Sequence, residues 1–362
     1  MITGDLDAEL TSAARALLPA GPLPPVAGTW RPGPDGDPAG YATSLPFDVA
    51  RRTGRPPAEV ADALAAAVRR ADWVLTAAAT GPGYLTITIT GRALASVAAR
   101  IAAAGPACAR TAELSGTAAA LPPWPDLRAT PTWRQAWQEQ ADAMAGRLAE
   151  AAGASGTECQ GRERGVSGPP PAPAARSPVA AAAAYVGADA VRYRLARTLP
   201  GRIGALTTVD PQLDEYGAVQ LAHAEAASVL RWAAELGLDR PEPARTATWL
   251  LDSAAERELL GLLAWFPVRV AAAARRARPA EVPHYLEQVA AAWTAFRLAC
   301  PALPFGGSAA PREPALAQAR LLLADAVATV LAAGLAFAGI AAAVRIGFPA
   351  FPDNGYLWES PG

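Results

Sequence analysis

The sequence contains no lysine: all 32 of its Lys and Arg positions are arginine. Arginine clamps phosphate and carboxylate well, but it cannot form a Schiff base. It is also a poor substitute for the phosphate-reaching lysine of a P-loop. Coding bias toward Arg and Ala explains the absence simply, and the chemical exclusion holds whatever its origin. Histidine is nearly as scarce. His223 and His284 fall in different expected helices, and neither has a Cys, an Asp or a second His at metal-ligand spacing. Cys108, Cys159 and Cys300 are widely separated and form no CxxC pair, which argues against structural zinc and a disulfide framework and fits a reducing cytoplasm. There is no GxSxG elbow and no GxGxxG after a strand. With no nucleophile–base–orienter set to defend, the expectation is no catalytic residue, no metal and no cofactor. The first residues carry Asp5, Asp7 and Glu9 rather than a basic-then-apolar run, so no signal peptide is expected. A formal charge of −1 gives no bulk attraction to nucleic acid. DNA is therefore not an expected partner, and RNA binding would need a local basic face.

What is present is helix-forming. Apolar residues make up 52% and charged residues 18%, a globular composition weighted toward Ala, Leu and Val. Residues 1–105 read as a small α+β domain. Pro56 and Pro57 open a helix carrying Val60, Leu64 and Val68. Trp73 to Thr76 reads as a strand and Thr80 to Gly83 as a turn. In Tyr84 to Thr90, Leu85, Ile87 and Ile89 alternate with Thr86, Thr88 and Thr90, the period of a half-buried strand. A helix from Ala93 to Ala104 should cover the sheet. Residues 106–180 read as a Pro/Gly-rich linker with one possible helix, Trp133 to Ala152, bearing Trp133, Trp137 and Met144 on one stripe. Much of this stretch, notably Gly168 to Pro173, is expected to be mobile.

From residue 181 to 346 the pattern is helical. Val219, Ala222, Ala226, Val229, Leu230 and Ala233 form one stripe; Leu286, Val289, Trp293 and Phe296 form another. Ser253 to Glu256 spells a capping box ahead of Leu259, Leu263 and Phe266. An antiparallel helical bundle is expected. Ala326 to Val344 carries no charge and nearly reaches the ~20 residues of a membrane span. Gly334 and Gly339 favour a buried helix ending at Gly334, then a turn and a short helix. Residues 347–362 form a short aromatic tail that could cover a groove on the bundle.

Three stretches, in order, resemble arginyl-tRNA synthetase. Tyr41 to Ala50, Gly54 to Pro57 and Gly81 to Leu85 resemble that family's additional N-terminal domain. Gly187-Ala188-Asp189-Ala190-Val191-Arg192-Tyr193 resembles the Asp-Ala-Leu-Arg signature of its DALR anticodon-binding domain, and Val219 to Ala224 continues the match. Arg320 to Ile346 is similar to that domain's last helix and C-terminal turn. The resemblance implies a mainly α protein: a small α+β N-terminal domain followed by a DALR-type helical bundle. It implies RNA contacts at Arg192, Tyr193, Gln220 and His223, and, toward the tRNA elbow, at Tyr41, Ser44, Tyr84 and Thr86. Gln220 and His223, three apart, should share a helix face. Two of these residues have plainer readings: Arg192 as an ion pair with Asp189, and His223 as a packed histidine.

The chain departs from the family pattern in two ways. No stretch between the two parts is long enough for the family's catalytic domain, and its paired-histidine and lysine signatures are missing. These signatures donate charge to the phosphates of adenylate formation. The family's usual Asn-Pro-Val-Tyr-Tyr falls on Asp214 to Ala218. The Tyr and the closing Arg of the next run fall on Leu221 and Glu225. A His and a Tyr-Asn pair fall on Thr294, Arg297 and Leu298. Lost aromatics and an arginine mean lost grip on bases and phosphates. The expected function is a non-catalytic tRNA-binding adaptor in the cytoplasm, with no membrane and with tRNA, arginine-specific or not, as partner. The alternatives are a protein-interaction scaffold that has lost RNA binding, or the non-catalytic chain of a split ligase.

Overall fold

The computed structural model describes residues 2–18, 26, 29–158, 177–205, 214–303 and 313–345. The aromatic tail, the Gly168 to Pro173 run and Cys159 lie outside the described residues.

The chain opens with α1 (Ile2–Leu17), which buries Ile2, Leu6 and Leu10 at helical spacing. A four-stranded antiparallel sheet follows in the order β1 (Trp30–Pro32), β2 (Gly40–Thr43), β4 (Tyr84–Ile89), β3 (Val74–Thr80). Between β2 and β3 lie α2 (Leu45–Thr53) and α3 (Pro57–Val68), each with proline in its first turn, where a missing N–H is harmless. The register pairs Tyr41 with Ile87 and Ala42 with Thr86. Paired residues share a sheet face, so Tyr41 goes inward with Leu85, Ile87 and Ile89, while Tyr84 and Thr86 go outward. Thr90 accepts the Ala93 N–H at 3.2 Å and caps α4 (Gly91–Ala104).

Residues 106–158 correct the linker expectation. They fold as a two-stranded parallel sheet, β5 (Ala118–Leu121) with β6 (Ser155–Glu158), around α5 (Trp133–Ala151). Helix α5 buries Met144 and Leu148 in the main core, and its Ala136 lies in a second cluster with Leu127, Val179, Val191 and Leu195. Trp133 and Trp137 pack on that second cluster, so the expected stripe serves two sites. The Trp137 indole donates to the Thr198 carbonyl at 2.8 Å. Among the described residues Pro122, Pro123 and Pro125 misled, because they lie in the connection between β5 and the packed helix α5.

The remaining described chain is all helical: α6 (Pro178–Val186), α7 (Ala188–Arg197), α8 (Asp214–Glu235), α9 (Ala254–Ala264), α10 (Phe266–Arg275), α11 (Glu281–Ala299) and α12 (Pro314–Ala336). The Ser253–Glu256 capping box forms in full at α9. Glu256 is buried and accepts Arg320 Nε at 2.7 Å. Burial alone would raise its pKa, but Arg320 and the Ser253 donors outweigh it and hold the carboxyl below its usual range. Helix α12 does not stop at Gly334. It runs on to Ala336, because a Cβ at residue 334 would lie 2.4 Å from Leu286 Cδ2 and glycine is there for close helix packing. This helix is long and apolar enough to cross a membrane, yet it packs against α4, α8 and α11.

The two ends of the chain share one apolar core, running from Ile2 in α1 to Ile340 beyond α12. Helix α4 lies on α9 and α12. The Tyr41 ring stacks on Trp265 with centroids 5.3 Å apart. Arg257 Nη2 meets Asp37 at 3.2 Å, and Arg275 pairs with Glu113. At Gly261 the β1–β2 turn comes so close that a Cβ would sit 2.6 Å from Pro38 Cβ.

Candidate RNA-binding surfaces

Two regions carry the residues singled out from the sequence, and they differ in whether the polar atoms are already used. In the helical region, Gln220 and His223 do share one face of α8, as their spacing requires. That face is covered by residues 341–343. The Gln220 amide donates to the Ala341 carbonyl at 3.0 Å and the Tyr216 hydroxyl at 3.1 Å, and its Oε1 accepts the Ala343 N–H at 2.7 Å. His223 Nδ1 lies 2.8 Å from the Ala343 carbonyl. A carbonyl only accepts, so Nδ1 carries the proton. Both side chains hold the turn beyond α12 and are closed to an RNA contact in this arrangement.

Tyr193 is buried, with its hydroxyl 3.2 Å from Glu287 Oε1 and 3.3 Å from the Pro283 carbonyl. Burial first, then the neighbouring Glu287 carboxylate, push its pKa up. Arg197 Nε also donates to Glu287, at 2.9 Å. Tyr193 is thus a core tyrosine, and a ring with no accessible face cannot stack on a base. Arg192 makes the ion pair read from sequence, Nη1 to Asp189 Oδ1 at 3.2 Å, while its buried Nε has no partner among the described residues.

The departures from the family pattern compensate one another. Glu225 accepts from Arg297 Nε at 3.2 Å and from the Trp293 indole at 3.3 Å. An acid in α8 therefore answers a base in α11. Leu221 and Leu298 are exposed, the latter at 73%.

The N-terminal residues divide by sheet face. Tyr41 is fully buried between Trp30 and Trp265, and its hydroxyl lacks a partner among the described residues. Burial raises its pKa. It belongs to the core and not to an RNA surface. On the other face Tyr84 remains 37% exposed, its ring edge-on to Phe47 at 5.0 Å. Thr86 and Thr80 bridge through their hydroxyls at 2.9 Å. Ser44 sits half-buried at the start of α2, its hydroxyl making no capping bond. Beside Phe47 lies an open depression of about 510 Å³ lined also by Arg51, Gly54, Arg55 and Pro57. Arg51 pairs with Asp48, and Arg55 reaches Glu59 at 3.7 Å, both at the surface. Sequence reasoning passed over Phe47, Arg51 and Arg55. The signal was present, because Phe47 and Arg51 are four apart and must share a helix face.

Among the described residues no group of His, Cys, Asp and Glu could hold a metal. Cys108 is buried, with burial pushing its pKa up to about 12, so it is no nucleophile.

Two family descriptions match the chain: "Arginyl tRNA synthetase N terminal domain" over residues 16–89 and "DALR anticodon binding domain" over residues 219–346. They define the class, a protein that joins a synthetase N-terminal domain to an anticodon-binding domain. The relatives narrow it. The arginine–tRNA ligase of Micrococcus luteus is 40% identical over 168 residues, 44% of this chain and 29% of that protein. That of Paenarthrobacter aurescens is 39% identical over 171 residues, 45% of this chain and 29% of the relative. The arginyl-tRNA synthetase structure from Thermus thermophilus aligns over 94% of this chain and 59% of its own, at 18% identity and a TM-score of 0.33. The chain is an arginyl-tRNA synthetase-like protein. It spans less than a third of the length of the curated relatives named here.

Proposed function

We propose that this chain is a non-catalytic, cytoplasmic tRNA-binding adaptor. The observation that carries the reading is the direct packing of the two matched regions. Gly261 meets Pro38, Tyr41 stacks on Trp265, and a single core runs through both. The described residues between the matched stretches are taken up by that core and by the second cluster around α5, α6 and α7. The sequence holds neither a lysine nor a close pair of histidines to stabilise an adenylate-forming transition state. Tyr84 on the outer face of the N-terminal sheet, with Phe47 and Arg51 of α2 and Arg55 just after it, offers rings for stacking and guanidinium groups, held only in surface ion pairs, for phosphate, the chemistry of single-stranded RNA contacts.

The test is a gel-shift titration of the full chain with total tRNA, repeated at rising salt, together with an arginine-charging assay. The adaptor gives a shift that weakens steeply with salt, because each phosphate contact releases counterions, and it charges nothing. Charging of arginine onto tRNA with ATP by the chain alone would overturn the reading.

One observation favours a protein-interaction scaffold as the second reading. The α8 face is spent on the chain's own residues, while Leu221, Trp232, Leu236 and Leu298 are left exposed. No shift with tRNA at low salt and micromolar protein would select it.

A further inference from the structure

The four-stranded sheet has two edges, β1 and β3, and they are built differently. β1 is three residues long and exposes Arg31 and Pro32. A short strand, a charge and a proline are ordinary means of keeping another strand away. β3 has none of them. Its seven residues, Val74–Thr80, include no charge and no proline. Leu75, Thr76 and Ala78 are exposed, Leu75 at 64%. A bulge also blunts an edge, but the register shift here falls between Val74 and Thr76 and leaves Thr76 to Thr80 in regular pairing with β4. Alternate residues of an edge strand turn their backbone N–H and C=O away from the neighbouring strand. Among the described residues, no backbone N–H from Leu75 to Thr80 donates outside the β3–β4 ladder.

The regular stretch reads the same in both directions: Thr76-Ala77-Ala78-Ala79-Thr80. We infer that β3 pairs antiparallel with β3 of a second copy of this chain, about a two-fold axis at Ala78, joining two four-stranded sheets into one of eight. About that axis Thr76 meets Thr80 of the second copy, Ala77 meets Ala79, and Ala78 meets itself. Facing threonines suit a cross-strand pair. The register also keeps Ala77 and Ala79, which pair with Ile87 and Leu85, on the inward face of both sheets. The exposed Leu75 comes to lie beside the Gly81–Pro82 turn of the second copy. Arg69 and Arg70 precede β3, and the turn after it is uncharged. Antiparallel pairing therefore holds the two arginine pairs at opposite ends, where parallel pairing would set them side by side. A two-fold contact closes on itself and stops at a dimer. Five residues a side make a small interface, so the association is weak and depends on concentration. The inference stands apart from the tRNA-binding reading, which enters neither its grounds nor its test.

The experiment uses the full chain. Light scattering from low to high micromolar protein is expected to show the mass rising toward twice that of the monomer. Residue 78 is the diagnostic position, because only pairing about it sets one residue opposite itself. Ala78→Cys is expected to form a disulfide-linked dimer on mild oxidation, well above the background that the native cysteines give in the wild type. Thr76→Cys alone is expected not to link, since its two copies lie more than about 13 Å apart, yet it should link when mixed with Thr80→Cys. Ala78→Lys sets two ammonium groups against each other at an exposed position. It is expected to raise the midpoint of association at least about tenfold with the circular dichroism unchanged. Ala78→Thr is expected to keep or tighten association. A monomer mass at every concentration overturns the inference, and so does linkage through Thr76→Cys alone as fast as through Ala78→Cys. A dimer that persists in Ala78→Lys also overturns it and moves the contact elsewhere, for example to the exposed Trp232 and Leu236.

Discussion

The α8 face and the outer face of the N-terminal sheet both carry residues at family motif positions, yet only the sheet face is open. On α8, Gln220 and His223 are spent on the backbone of residues 341–343. On the sheet, Tyr84 faces solvent, and beside it the Phe47–Arg51–Arg55 depression opens between α2 and α3. A residue type at a motif position therefore says little about contact until its hydrogen bonds are counted. The same glutamine that could read a base can clamp the turn beyond α12 instead, and the second role needs no partner molecule.

Substitutions can break or sharpen this contrast. The largest effect is expected at the seam between the regions. Trp265→Ala removes the ring that Tyr41 stacks on and should cost about 3–5 kcal/mol. Denaturation followed by fluorescence and by circular dichroism should still give one coincident transition; two separate transitions would show that the regions do not share a core. Arg320→Met leaves Glu256 buried and unpaired and should cost about 3 kcal/mol in urea unfolding. The Glu256 carboxyl is held below its unfolded value of about 4.3. Its contribution is thus complete above that pH and is lost as pH falls through the folded value. The stability gap between wild type and Glu256→Gln should narrow on acidification below about pH 4.3, and a gap that widens would contradict the assigned direction.

Next in size, Gln220→Leu leaves the Ala343 N–H without its acceptor and should cost about 1–3 kcal/mol. Once corrected for folded fraction, tRNA retention should be unaltered. Tyr84→Ala should behave in the opposite way, with stability within about 0.5 kcal/mol of wild type and tRNA affinity down roughly tenfold. A reversal of these two results would reverse the contrast itself. The smallest effect is Arg55→Glu, expected to reduce the salt slope of tRNA binding by about one with little change in melting temperature.

Much of the fold was legible in the sequence. The strand of alternating Leu85, Ile87 and Ile89, the capping box at Ser253 and the stripe ending in Trp293 and Phe296 all depend on local periodicity, and all formed. What stayed hidden depends on contacts distant in sequence. Gly334 looks like a helix stop until Leu286 is placed against it. Trp133 and Trp137 suggest a docked linker helix until Val179 and Leu195 close around them. The site was less legible. Of the candidate residues, Tyr41 and Tyr193 are core, Gln220 and His223 are structural clamps, and Tyr84 with Thr86 face outward. Burial of a tyrosine follows from which strand pairs with which, and no motif encodes that pairing.

The contact of Pro38 with Gly261 makes the molecule a fixed caliper. With no room for even a methyl group between the turn and α9, the two halves are in direct backbone contact there. Interiors this tightly packed transmit strain and do not yield gradually. On the adaptor reading, an RNA that touches both halves is expected to do the bending, and a strand that is already curved to be favoured over a stiff one of the same sequence.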